Sequence, residues 1–180
     1  MSSPQTQTGN RVQPPALDEI HTRLEQWLKG IRIENIANYR AAAYYNQRSR
    51  ALGLAVTVLS VAAGTTLFTS LASSASVWIL AITGLISALA AVLAGAQTFL
   101  NYAQLAEKSH TTAINYGVLR HKLEEALASA TGSNELKTAM DDIRKQWDQL
   151  ATDAPTIPEQ IYAEAEQSVD SSQHMKYFQT

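Results

Sequence analysis

Residues 51–106 contain no Asp, Glu, Lys or Arg, an unbroken charge-free interval of 56 residues in a chain of 180. All 30 charged residues lie in the remaining 124, where they make up about a quarter of the sequence, the ordinary density of a soluble domain. The chain average of 17% charged residues and a mean hydropathy of −0.14 therefore describe neither part. Inside the interval, two apolar runs at 51–72 and 77–98 flank Ser73-Ser74-Ala75-Ser76. At 1.5 Å per residue each makes a helix of about 30 Å, the thickness of a bilayer's hydrocarbon core. In hydrocarbon the backbone must satisfy its own hydrogen bonds, so both runs are expected to be helical throughout. Four linking residues leave room for a tight antiparallel hairpin only. The alternative, a buried hairpin in a soluble bundle, would ordinarily keep a polar stripe, and neither run has a charged one.

Arg40, Arg48 and Arg50 precede the first run and Lys108 follows the second, whereas the linker is uncharged. The positive-inside rule then places both termini in the cytoplasm and the hairpin tip outside, in a multi-pass cell-membrane protein whose first partner is the lipid bilayer. Tyr44, Tyr45, Phe99 and Tyr102 fall at the inner interface, and Phe68 and Trp78 towards the outer one. Tyr44, Tyr45, Arg48, Arg50, Trp78 and Tyr102 are the expected interface anchors. Residues 1–16, rich in Ser, Gln, Thr and Pro without an apolar core, read as a disordered tail and not as a signal peptide.

Outside the interval the pattern is helical. Residues 17–50 carry Leu17, Ile20, Leu24, Trp27 and Ile31 at 3-4 spacing, with Gly30 as a loosening point. Nothing breaks them before the first span, so a long helix should run from the cytoplasm into the membrane. The second span is expected to continue likewise through Tyr102, Leu105, Ser109, Thr112, Tyr116, Leu119, Leu123 and Ala126, until Thr131-Gly132-Ser133-Asn134 stops it. Leu136, Met140, Ile143, Trp147 and Leu150 form a further stripe, and Pro158 stands ready to open a last helix bearing Ile161, Ala165 and Val169. The region 107–170 thus reads as a cytoplasmic helical region, followed by a polar tail at 171–180. Stripes of this spacing serve an intramolecular bundle or an intersubunit coiled coil. The expected fold class is all-α: a two-helix transmembrane hairpin whose long helices extend into a cytoplasmic bundle.

Composition and motifs exclude much chemistry. Without cysteine there is no disulfide, thiolate zinc site or Cys nucleophile. A net charge of −2 provides no global field for nucleic acid. The seven cations against four anions in residues 1–50 suit anionic lipid instead. No phosphate loop, HExxH or nucleophile elbow is present. His110 and His121, with Glu107 and Glu124 three residues away, read as surface pairs and not as a metal shell. The expectation is no enzyme, no metal and no cofactor.

The hairpin is more informative. Ser60-Val-Ala-Ala-Gly64, Gly84-xxx-Ala88 and Ser87-xxx-Ala91-xxx-Gly95 are small-xxx-small patterns that let helices approach closely in lipid. Thr57, Ser60, Gly64, Ser87, Ala91 and Gly95 are the candidate pore-lining or helix-packing residues. The ordinary use of such hydroxyls is a bond to their own helix carbonyl. One hairpin cannot enclose water, so a pore needs a homo-oligomer, and its lining would hold no ring of charge. A membrane-anchored scaffold that binds a cytoplasmic protein without conducting is the competing reading.

Arg40-xxx-Tyr44-Tyr45-xx-Arg48-x-Arg50 before the first span resembles the entry of the SLATT family, as does Leu52-Gly53 within it. So do Gln97-Thr98-Phe99-Leu100-Asn101-Tyr102, Ala106-Glu107-Lys108-Ser109-His110, Tyr116-x-x-Leu119-Arg120-x-x-Leu123-Glu124 and Ala154-Pro155-Thr156-Ile157-Pro158 further on. The order covers about residues 20 to 170. The resemblance implies a small two-span membrane effector that oligomerises and perturbs the membrane or opens a pore, beside a separate sensor or regulatory protein. It carries no catalytic residue over to this chain.

Overall fold

The computed structural model describes residues 17–72, 76–129 and 133–177. Every regular element among them is an α-helix: α1 (Leu17–Ala72), α2 (Val77–Leu100), α3 (Tyr102–Ser129), α4 (Ser133–Asp153) and α5 (Glu159–Tyr177). The all-α expectation holds. The expected tail at 1–16, most of the linker between the apolar runs, and the stop at 131–132 lie outside the described residues.

Helix α1 is the spine. It runs for 56 residues without interruption, through Gly30 as well, so the cytoplasmic stripe and the first apolar run are one rod. The loosening expected at Gly30 does not occur. A Cβ there would come within 3.0 Å of the Trp147 ring, so the glycine makes room for α4 instead of bending α1.

The second apolar run does not continue in the same way. Asn101 adopts the left-handed conformation (φ 45°, ψ 40°), and its N–H bonds back to Gln97 O. This ends α2, and α3 restarts at Tyr102. Asparagine tolerates this conformation better than most side-chain-bearing residues, and here its amide also donates to Gln104 on the first turn of α3. The sequence expectation of one continuous helix is corrected: the return path is jointed, while α1 is not.

Helix α3 runs antiparallel to the first half of α1. Asn35 Nδ2 donates to Ala113 O at 2.6 Å, Tyr39 meets His110 edge-on at 5.7 Å, and Tyr45 stacks on Tyr102 at 6.1 Å. The predicted face of α3 is the one turned inward, with Ser109, Thr112, Tyr116, Leu119 and Leu123 buried. The distal core joins Ile20, Leu24 and Ile31 of α1 to Tyr116, Leu119 and Leu123 of α3 and to Leu136 and Ile143 of α4; Trp27, Met140, Trp147 and Leu150 pack around it. Trp27 and Trp147 meet edge-on at 6.0 Å. The stripe from Leu136 to Leu150 is therefore used within the chain. A second, smaller core joins Ile33 and Ala37 of α1 to Ala165 and Val169 of α5. Pro158, expected as the first residue of the last helix, sits immediately before α5, where its carbonyl accepts from Ile161 and Tyr162. The expected polar tail is in part helical, since α5 extends to Tyr177.

Candidate membrane and assembly face

Helix α2 returns along the last part of α1. A Cβ on Gly53 would lie 3.6 Å from Gln97 Nε2, which puts the start of the first run beside the end of the second. Among the described residues the shielded positions of the apolar runs are Leu52, Gly53, Ala55, Val56, Leu59, Ala63, Gly64 and Thr66 on α1, and Thr83, Ile86, Ala90, Leu93, Ala96 and Gln97 on α2. Leu52, Val56, Leu59, Ala63 and Thr66, and likewise Thr83, Ile86, Ala90, Leu93 and Gln97, step by three and four residues, the spacing of one helix face against another. Most other described positions in 54–66 and 77–100 are exposed. Leu54, Val58, Val61, Ile82, Leu85, Leu89 and Val92 are more than half or nearly half exposed, Trp78 is 78% exposed and Phe99 90%. Elsewhere among the described residues, the large exposed apolar side chains are Tyr39, Ile114, Val118 and Tyr162. Two helices are thus long and apolar enough to cross a membrane, and only 6% and 11% of their most apolar windows are buried within the protein. A water-soluble core helix would bury most of such a window.

The candidate small and hydroxyl residues are not gathered into the intramolecular seam. Gly84, Ala88, Ala91 and Gly95 form a 4-3-4 row on the exposed side of α2, far round the helix from Thr83 and Ala90. A Cβ added to Gly64, Gly84 or Gly95 would meet nothing within 4 Å. The close backbone approach these residues permit is therefore unused inside one chain. Thr57 is exposed and donates to Gly53 O at 2.8 Å; Ser87 is exposed and donates to Thr83 O at 2.9 Å. Ser60 is exposed as well. Thr83 and Thr98 bond their own helix carbonyls in the same way. Sequence periodicity puts these residues in rows along each helix. It cannot say which face turns inward, because every face of the segment is apolar.

The expected interface anchors divide into two groups. Arg48, Arg50 and Trp78 are exposed, with the Arg48 guanidinium 5.1 Å over the Tyr44 ring. Tyr45 and Tyr102 instead build an internal joint. Tyr45 is only 8% exposed, stacks on Tyr102 immediately after the Asn101 break, meets Tyr44 at 5.5 Å, and donates its hydroxyl to Thr156 O at 2.9 Å. Phe68 lies outside the described side chains. The Asn101 break leaves a cavity of about 390 Å³ between α1 and the α2–α3 corner, lined in part by Ser49, Leu52, Gln97, Thr98 and Asn101. Sequence reasoning missed this corner. The signal was a lone Asn between two apolar-periodic stretches, a weak one since asparagine is also common within helices.

Away from the apolar helices, charge is used for bundle packing. Glu124 accepts from Arg32 at 3.0 Å, with Arg120 and His121 each at 3.6 Å, and the Arg32 hydrogen bond holds its carboxyl below the usual range. Burial pushes the Glu34 carboxyl up, an effect that the Tyr162 hydroxyl, donating at 3.4 Å, partly offsets. Burial likewise pushes the Tyr116 phenol up to about 12. These shifts belong to packing. Among the described residues, no group of three or more His, Asp or Glu is placed to hold a metal ion. The chain matches no protein-family model, no characterised protein and no solved structure.

Proposed function

We propose that this chain is a two-span membrane protein, inserted as an α1–α2 hairpin with both termini cytoplasmic, which assembles as a homo-oligomer into an ion-conducting or membrane-perturbing pore. The observation that carries the reading is the apolar surface of residues 54–66 and 77–100, which the protein leaves largely uncovered. The outward row Gly84, Ala88, Ala91 and Gly95 gives a second copy somewhere to pack closely in lipid. Since one hairpin encloses no water, a conduction path would run between copies, lined by small residues and hydroxyls such as Thr57 and Ser60. The resemblance to SLATT proteins points the same way, and the chain's work is then non-enzymatic. Helices α3, α4 and α5 would serve assembly and gating, with the Asn101 corner as the place where bundle movement reaches α2. A separate sensor or regulatory protein would supply the trigger. The purified chain in a planar bilayer is expected to give discrete conductance steps; a silent bilayer containing folded oligomers would refute the pore.

One observation favours the scaffold reading. The hydroxyls of Thr57, Ser87 and Thr98 are already bonded to their own helices, so they need no water path. A scaffold would have to recruit its partner elsewhere than the Leu136–Leu150 stripe, which is spent on the core. Thr57→Leu with Ser60→Leu separates the two readings: a pore lined by these residues loses conductance, whereas a scaffold keeps its partner.

A further inference from the structure

Helix α5 stands apart from the rest of the bundle. Among the described residues its one extensive neighbour is α1, against which it lies antiparallel. The α1 residues it covers, Lys29, Ile33, Ala37 and Arg40, lie on roughly the opposite side from Ile31 and Asn35, which face α3. No other described helix encloses α5, so its release gives up its contacts with α1, the Tyr162–Glu34 hydrogen bond among them. Its apolar footing is small: Ala165 and Val169 on Ile33 and Ala37, with Ile36 and Ile157 at the edge. Two ion pairs flank this footing. Lys29 meets Asp170 at 2.6 Å and Arg40 meets Glu164 at 3.6 Å, so the α1 face is cationic at both ends and the helix it holds is acidic. Residues 154–158 join α4 to α5 as a non-helical strap containing Pro155 and Pro158, pinned midway where Tyr45 donates to Thr156 O. Fully extended, five residues span about 17 Å, close to two helix-to-helix spacings.

We propose that the α1 face formed by Lys29, Ile33, Ala37 and Arg40 is an interaction surface for an acidic amphipathic helix, and that its second occupant is the α5 of another copy of this chain. Exchange of α5, with the Tyr45–Thr156 bond given up so that the whole strap extends, ties neighbouring copies together outside the membrane. The occupant follows from complementarity: a second α5 brings the same Ala165–Val169 footing and the same two acids. Once freed, the strap reaches an α1 lying within about 17 Å. The proposal rests on the homo-oligomer of the preceding reading and adds the contact that would hold it.

The absence of cysteine leaves amide exchange and charge reversal as the natural tools. The full chain is made as Lys29→Glu/Arg40→Glu, as Glu164→Lys/Asp170→Lys, as all four changes together, and as a co-expressed mixture of the two double variants. Oligomer mass is measured on each in detergent. Each double variant alone sets like charges against one another, and amide exchange over residues 159–170 is expected to rise at least fivefold. The fourfold variant returns to the wild-type rate. In the mixture each α5 finds its complement on the other chain, so both sets of α5 peptides, separable by mass, also return to within twofold of wild type. Protection in the fourfold variant without protection in the mixed oligomer would overturn the exchange and leave α5 a helix of its own chain. Unchanged exchange in the double variants, or no recovery in the fourfold variant, would overturn the interaction surface itself. A monomeric mass in every sample would remove the homo-oligomer, and this proposal with it.

Discussion

Asn101 is the only residue with a side chain among the described residues that has a positive φ, and substitution there tests whether the α2–α3 corner is built in. Asn101→Ala keeps a Cβ in the left-handed region, which costs about 1–2 kcal/mol for an ordinary L-residue, somewhat less relative to asparagine. It also removes the exposed side-chain hydrogen bond to Gln104, worth about 0.5–1 kcal/mol. The alternative open to the alanine chain is to straighten, making 77–129 one helix. That would pull Tyr102 from its stack on Tyr45 and carry Ser109, Thr112 and Tyr116 off their α1 neighbours, at a cost well above the strain. The bent form should therefore persist, destabilised by about 1–2 kcal/mol. Asn101→Gly loses the same hydrogen bond without the Cβ penalty and should fall within about 1 kcal/mol of wild type. Asn101→Val, β-branched, should be the worst of the three. Denaturation of the full chain in mild detergent, followed by far-ultraviolet circular dichroism, gives the order wild type and Gly, then Ala, then Val. An alanine variant as stable as wild type, with the glycine variant below it, would mean that the corner is an ordinary helix and would refute the reasoning.

Three further outcomes are expected. Leu24→Ala, at a fully buried position of the distal core, should cost about 2–5 kcal/mol in the same measurement, whereas Leu54→Ala on the bare face should cost the folded chain under about 1 kcal/mol. Glu34 has its pKa raised in the folded state by burial, so it favours folding fully below the unfolded carboxyl value of 4.5 and loses that contribution as pH rises through its folded value. Glu34→Gln should accordingly stabilise the chain at pH 7 more than at pH 4, and a difference that does not change with pH would count against a buried carboxyl. Ala91→Leu, which fills the outward row on α2 but meets nothing within the chain, should leave the unfolding midpoint in dilute detergent almost unchanged. The same substitution should reduce the oligomer fraction seen by cross-linking in vesicles; an unaltered fraction would exclude this row from assembly.

What the residues reveal in advance depends on contrast. The α4 stripe from Leu136 to Leu150 stands out against charged neighbours, and the structure turns that face inward. Leu119 and Leu123 on α3 are legible for the same reason. Within residues 51–106 there is no such contrast. Spacing alone cannot separate Ala90, which faces α1, from Ala91, which faces outward, because hydrophobicity there does not distinguish lipid from protein. The Asn101 corner escapes for a different reason: a left-handed residue is a local event without a period. Tyr45 shows a third limit. Its position fits an aromatic belt, but the stack on Tyr102 and the bond to Thr156 depend on residues 57 and 111 positions away that only folding brings near.

The unbroken course of α1 has a mechanical consequence. Its 56 residues make a rod of about 84 Å with Leu24 towards one end and Gly64 towards the other. A rod of this length acts as a lever. Tilting it by only 5° sweeps one tip sideways by about 7 Å relative to the other, as much as most of a helix-to-helix spacing. Ile31, Thr57 and Ser60 sit on one unbroken run of helix, whereas the return path is interrupted at Asn101. Each chain therefore pairs one long lever with a jointed return helix.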